Sequence, residues 1–335
     1  MPTTASPVTL GLRNLKEEDV SLLFEEKILD RGIKYFEQGR VRRPFVYHDS
    51  LMAECQGTLP EDYHIRVDMR EGNFVASCTC PYAFGYCKHI AAVMVAWLKK
   101  PSIFKDLGQS EALLKRMDKG PLVEIVMDMI RYYPDVVYVV NLRLLPRKEL
   151  PGFVQREMKN IFSEEYVDYL NVREIVKKLD IFREYASDIF GAGDPGTAMV
   201  VLVPVIEAAI DKYTSLDDTD GLMRNFFSMI IDLYGDIIPS FRLDGERRRY
   251  LVSALEWYSI AEWGLERILR GFLQKETGRL GEKRFMLNSV ELRLADYKRS
   301  FIAMGPKYTD EYQYIEERLE RLEALRADIK GFTQV

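Results

Sequence analysis

The chain has 335 residues, and at about 150 residues per domain it is long enough for roughly two domains, each with a real core. Apolar residues make up 47% and charged residues 30%, which excludes disordered, collagenous and disulfide-dense classes. The net charge of −5 excludes a globally basic, nucleic-acid-coating protein but leaves room for a local basic patch.

The opening stretch MPTTASPVTLGLRNLKEEDV lacks a basic region followed by a continuous apolar one, so no secretory signal is read there. The longest apolar runs, 90–98 and 198–206, reach about half the length of a membrane span. These features predict a cytosolic protein with reduced thiols and no membrane association.

From Glu17 the pattern is helical, with Leu22, Leu29, Ile33 and Phe36 on one stripe and Gly39 ending it. The period then changes to two. Leu51, Ala53 and Cys55 alternate with polar neighbours, then Tyr63, Ile65, Val67 and Met69 alternate with His64, Arg66, Asp68 and Arg70. Turn residues at 48–50, 59–62 and 71–73 separate these strands and predict an antiparallel meander. Its last strand carries Phe74, Ala76, Cys78 and Cys80 on one face and is ended by Pro81, which has no ladder donor. From Cys87 the period is helical again, through Ile90, Val93, Met94 and Trp97. Residues 1–105 thus read as an α+β module of helix, antiparallel meander and helix.

Residues 106–335 read as an all-α domain with a solenoid-like succession of helices, although no repeat of fixed period is visible. Helices are expected at roughly 109–117, 120–132, 149–162, 171–190, 195–213, 220–238, 244–258, 260–275, 285–302 and 309–330. In the last of these, Tyr312, Ile315, Leu319, Leu322 and Ile329 form one stripe.

Three of the four cysteines fall within ten residues, in the run Cys78-Thr79-Cys80-Pro81-Tyr82-Ala83-Phe84-Gly85-Tyr86-Cys87-Lys88-His89. Side chains at i and i+2 of an extended strand share a face, so Cys78 and Cys80 can converge. Pro81 and Gly85 let the chain fold back and bring Cys87 and His89 to the same point. Three thiolates and one imidazole make a closed, tetrahedral zinc site of the structural kind, with no open position for an activated water. Cys55, isolated on the apolar side of its strand, reads as a core residue. His48 and His64 read as solvated.

This CxCx6CxH arrangement, with CPY at the second cysteine, CKH at its end and the helix HIAAVMVAWL after it, closely resembles the SWIM zinc finger. The upstream stretch RGIKYFEQGRVRRPFVYHDSLMAECQG is similar to what precedes that finger in prokaryotic members, so the resemblance spans roughly residues 28–100. It implies that Cys78, Cys80, Cys87 and His89 bind Zn2+ in a module that recognises DNA or other proteins. SWIM fingers accompany bacterial SWI/SNF-type ATPases, transposase-related proteins, a ubiquitin ligase and recombination-associated proteins. No G-x-x-x-x-G-K-[ST] loop occurs here, so the chain resembles the stand-alone prokaryotic type and no nucleotide cofactor is expected.

Arg31, Lys34, Arg40, Arg42 and Arg43, with Arg66 and Arg70 nearby, form a local basic cluster. Arg40, Arg42, Arg43, Arg66 and Lys88 are therefore candidate phosphate contacts, although acids balance bases over residues 1–100. A second cluster, Arg242, Arg247, Arg248 and Arg249, reads as a helix surface paired with acids. Gly191-Ala192-Gly193-Asp194-Pro195-Gly196 matches a dinucleotide fingerprint but follows a helix, so it reads as an interhelical loop with Asp194 as N-cap. The stretch 217–221 lacks the Glu of a calcium loop and reads as a helix-capping loop. Neither G-x-S-x-G nor H-E-x-x-H occurs.

The expectation is a non-enzymatic zinc-finger protein acting as a protein-interaction or adaptor module. A DNA-binding role in repair, recombination or transposition and an enzyme with a site in the helical domain are the alternatives.

Overall fold

A computed structural model describes residues 11–57, 62–70, 73–80, 82, 85–304 and 310–331. The turns expected around 58–61 and 71–72, the strand-ending Pro81, and Ala83 and Phe84 of the cysteine loop lie outside these described residues, as does the side chain of Arg70. The chain forms two compact units, Met1–Tyr132 and Tyr133–Val335.

In the first unit the expected first helix is two, α1 (Glu17–Leu23) and α2 (Glu26–Glu37), broken where Phe24 and Glu25 take extended backbone. That break turns Leu22 out of the anticipated stripe to 86% exposure, while Val20 and Ile28 are buried. Gly39, with φ +66°, ends α2 as expected.

The meander follows as β1 (Val41–Tyr47), β2 (Ser50–Cys55), β3 (Tyr63–Arg70) and β4 (Asn73–Cys78), all antiparallel neighbours. Leu51 faces Val67, and Val67 faces Ala76, so one set of alternating side chains builds the inner face. β1 is bulged between Arg42 and Phe45, where Pro44 cannot donate to the ladder and Arg43 takes φ +42°. A two-residue strand, β5 (Lys105–Asp106), adds parallel to β1 at the sheet edge. Nothing in its sequence period announced it.

Helix α3 (Lys88–Lys99) is buried continuously from His89 to Ala96, because it packs on the inner face of the sheet and on α2 at once. The crossing with α2 is close: a Cβ placed on Gly32 would stand 2.5 Å from the Cβ of Ala91. Small residues on both helices are what permit this approach. Trp97 closes the far end, its Nε1 donating to the Leu12 carbonyl at 2.9 Å. The unit ends in α4 (Leu107–Leu114) and α5 (Lys119–Tyr132).

The second unit is helical: α6 (Val136–Leu144), α7 (Leu150–Ile161), α8 (Tyr169–Gly191), α9 (Pro195–Lys212), α10 (Leu222–Ile237), α11 (Asp244–Ile260), α12 (Leu265–Arg279), α13 (Lys283–Met304) and α14 (Asp310–Gly331). All the expected helices are present, and α6 is additional. Its Val-rich sequence has no helical period to read, since β-branched residues dominate its first turns.

Helix α9 is buried along most of its length between α7, α8 and α10, and the core continues through α11 and α12 to α13 and α14. Asp194 caps α9 by accepting from the Thr197 N–H, with Pro195 at the first helical position. Asp218 accepts from the Met223 and Arg224 N–H groups to start α10. Both glycine- and aspartate-rich loops are thus helix connections. Arg247 pairs with Asp244 and Arg248 with Glu282, which accounts for much of the second basic cluster. Among the described residues no helix is long and apolar enough to cross a membrane.

Candidate metal centre

Four elements of local structure bring the donors together. Cys78 is the last residue of β4, and pairing continues one residue further: the Thr79 N–H donates to the His64 carbonyl at 3.1 Å, and the His64 N–H donates to Thr79 Oγ1 at 3.0 Å. That clamp fixes the residue between the two cysteines on β3. Gly85, at φ +103°, lets the loop reverse, and the Tyr86 hydroxyl ties it back by donating to the Phe74 carbonyl at 3.1 Å. Cys87 is the N-cap residue of α3, with extended backbone, and His89 stands in the first turn of that helix.

The four donor atoms of Cys78, Cys80, Cys87 and His89 lie within 4.8 Å of one another. His89 presents Nδ1, which stands 3.8 Å from Cys78 Sγ and 3.7 Å from Cys87 Sγ. Sulfur at about 2.3 Å and nitrogen at about 2.0 Å from a tetrahedral zinc ion stand about 3.6 Å apart, so this spacing matches the first coordination shell. Cys80, Cys87 and His89 are buried and Cys78 is half-buried; the three cysteines are free thiols rather than disulfides.

The remaining ring nitrogen, His89 Nε2, is buried and has no hydrogen-bond partner among the described residues. Its ring is enclosed by Tyr35, in an edge contact at 5.4 Å, and by Tyr63 at 4.7 Å. An imidazole so enclosed has one nitrogen to offer, and that nitrogen faces the thiols.

The thiols hydrogen-bond to one another. Burial pushes the Cys78 thiol well above its ordinary range, with hydrogen bonds to Cys80 and Cys87 adding to the rise. Cys80 is lowered by its hydrogen bond with Cys78, but the one with Cys87 and burial carry it to about 12. Cys87 is pulled far down, because it is the sulfur that accepts hydrogen bonds from Cys78 and Cys80. The fold thus favours negative charge at Cys87 over Cys78 and Cys80, and a bound divalent cation would favour the thiolate form of all three. Cys55 stands apart from this set as a core residue, its thiol pushed up to about 12 chiefly by burial.

The basic candidates are placed differently from one another. Arg42 pairs with Asp62 at 3.3 Å, Arg43 with Glu54 at 3.1 Å and Arg66 with Asp68 at 2.9 Å. Arg40 and Lys88 instead stand over the Tyr35 ring, 4.5 and 4.8 Å from its centroid. Tyr35 thus touches two cations as well as the His89 imidazole. Neither Tyr35 nor Tyr63 was singled out from the sequence for the site: Tyr35 lies beside the helical stripe of Leu29, Ile33 and Phe36, and Tyr63 is an ordinary member of a strand face. His48, in a turn at φ +50°, lies 3.7 Å from Glu111, and His64 is exposed.

A Cys3His set mounted between the end of a β-hairpin and the start of a helix has the donor make-up of a zinc finger. Residues 63–98 match the family model of the SWIM zinc finger, so this chain carries a SWIM finger whose cluster is positioned to bind a metal ion and whose donors suit zinc. No curated protein and no solved structure matches the chain.

Proposed function

We propose that the protein is a non-enzymatic adaptor of a reducing, cytoplasmic compartment, in which zinc holds the finger rigid and the finger presents a surface to a protein partner. The observation that carries this reading is the closed, enclosed ligand set: three thiols and one Nδ1, with the second imidazole nitrogen sealed behind Tyr35 and Tyr63. Such a set leaves no coordination position for substrate or water, so the metal supplies stability and Cys78, Cys80, Cys87 and His89 supply its grip. Protein rather than phosphate recognition is favoured because Arg42, Arg43 and Arg66 already have carboxylate partners within the chain. Affinity capture with the intact protein, before and after nuclease treatment, tests the reading: a partner retained after nuclease supports it, and a partner lost with nuclease overturns it.

DNA binding is the second reading, supported by Arg40 and Lys88, whose cationic heads rest on an aromatic ring rather than on carboxylates. It predicts an affinity for duplex DNA whose logarithm falls linearly with the logarithm of salt concentration, with a slope that shrinks by about one for each of Arg40→Ala and Lys88→Ala. A response flat in salt removes it.

A further inference from the structure

A histidine side chain has two broad, roughly opposite settings of χ2, so its rotamer does not by itself aim a ring nitrogen at a metal. A half-turn of the His89 ring would put the carbon Cδ2 where Nδ1 now faces the thiols. In most metal sites the second ring nitrogen fixes the ring by donating to a carboxylate or a carbonyl. His89 Nε2 has no such acceptor among the described residues, and the residue is only 4% exposed. Packing is what remains to hold the ring.

That packing reaches beyond the two tyrosines that touch the imidazole. Tyr63 is 2% exposed and lies against His89 with its ring tilted by 41°. Against the Tyr63 ring in turn stands Gly57: a Cβ built there would overlap Tyr63 Cε2 and come within 2.6 Å of Cδ2 and 3.0 Å of Cζ. The backbone of Gly57 is outside the left-handed region, so a larger residue is excluded by lack of room and not by conformation. The segment has little freedom to recoil. The Gln56 N–H donates to the Arg40 carbonyl at 2.9 Å, and the Gln56 side chain accepts from Arg42 at 3.1 Å. Tyr35 is tethered from the same place, since the Arg40 N–H donates to the Tyr35 carbonyl at 3.1 Å and the Arg40 guanidinium lies over its ring.

We propose that Gly57 and Tyr63 are positioning residues for the His89 ligand: the room left by the absent side chain of Gly57 lets Tyr63 lie against the imidazole, and Tyr63 with Tyr35 blocks the ring from turning Nδ1 away from the metal. The donor set alone sets how many bonds hold the ion. The aromatic walls set how readily one of those bonds opens, because the imidazole leaves only by turning or withdrawing. Zinc is therefore released slowly as well as bound tightly. This inference stands apart from the adaptor reading, since it concerns the metal centre and no partner.

The test uses the full-length protein and follows zinc transfer to an excess of a colorimetric chelator, together with the visible spectrum of the cobalt(II)-loaded form. Tyr63→Ala and Gly57→Ala are each expected to weaken metal affinity and speed release by on the order of 10–100-fold. With cobalt bound, both variants should keep the charge-transfer bands of the three thiolates while the d–d bands shift as the imidazole gives way to water. A general loosening of the finger would erode the sulfur bands as well. Tyr63→Phe, which keeps the ring, should retain the wild-type rate and spectrum. Gly57→Ala added to Tyr63→Ala should bring no further loss, because the ring through which the extra methyl group acts is gone. Wild-type release from Gly57→Ala and Tyr63→Ala overturns the proposal. So do sulfur bands lost together with the d–d change, a Tyr63→Phe variant as impaired as Tyr63→Ala, or a double variant whose effects multiply.

Discussion

The two units of this molecule reach order by different means. The helical unit buries an apolar core that runs from α7 through α14, with Phe226, Phe227, Leu202 and Tyr234 fully enclosed. The finger unit has the smaller of the two cores, and its cysteine loop runs only from the end of β4 at Cys78 to the start of α3 at Lys88. A core of the first kind pays for chain entropy by area alone, whereas a short loop of the second kind needs a cross-link. The comparison teaches where a metal matters: at a short junction between a strand end and a helix start, where a cross-link can fix what a long repeating core fixes elsewhere.

The largest expected effect follows from that contrast. Removing zinc with a chelator, or replacing Cys87 with Ser, withdraws a contribution on the order of 10–16 kcal/mol in apparent binding energy at neutral pH. Limited proteolysis should then cut within residues 74–98 while α7 to α14 stay protected and most helical circular dichroism survives. Equal loss of protection in both units would erase the distinction.

Phe226→Ala reverses the test. It opens a cavity in the helical core and should cost about 3–5 kcal/mol there, lowering the melting temperature of that unit. Zinc content measured by elemental analysis should stay at one equivalent. Metal lost from this variant would show that the units share one cooperative core.

A smaller effect is expected inside the finger, at the crossing of α2 and α3. Gly32→Val would drive side-chain carbon into Ala91 and force the helices apart, at a cost of about 1–3 kcal/mol. Hydrogen exchange should rise in α2 and α3, with little change in α9 or α10. The smallest change is expected from Asp218→Ala, which removes the cap of α10 and should lower stability by about 1 kcal/mol without altering zinc affinity.

How legible each region was from sequence follows the reach of its determinants. The ligands Cys78, Cys80, Cys87 and His89 were legible because their geometry is local: two residues along a strand, a short loop and the first turn of a helix settle it. The meander was legible for the same reason, since Leu51, Ala53 and Cys55 alternate in plain view and a tight turn sets Leu51 opposite Val46, while the bulge that brings Cys55 opposite Val41 was not read. The helical stripes of α9 and α14 repeat over enough turns to be unambiguous. The weaker readings came where sequence period and burial part company. Leu22 sits on a helical stripe yet points to solvent, because Phe24 and Glu25 break the helix and re-aim it. Helix α6 hid behind its valines, and β5 is a two-residue strand that exists only through its pairing with β1.

By itself, the sequence determined the donor set of the metal centre, the strand order of the hairpins and nearly every helix of the second unit, because each depends on residues a few positions apart. Only the tertiary structure decided which imidazole nitrogen faces the thiols, that Tyr35 and Tyr63 enclose the other, and that Arg42, Arg43 and Arg66 spend their charge on acids of the same chain while Arg40 and Lys88 gather on a ring. Those are facts of packing between segments distant along the chain, and a one-dimensional pattern holds no distance between residues that meet only after folding.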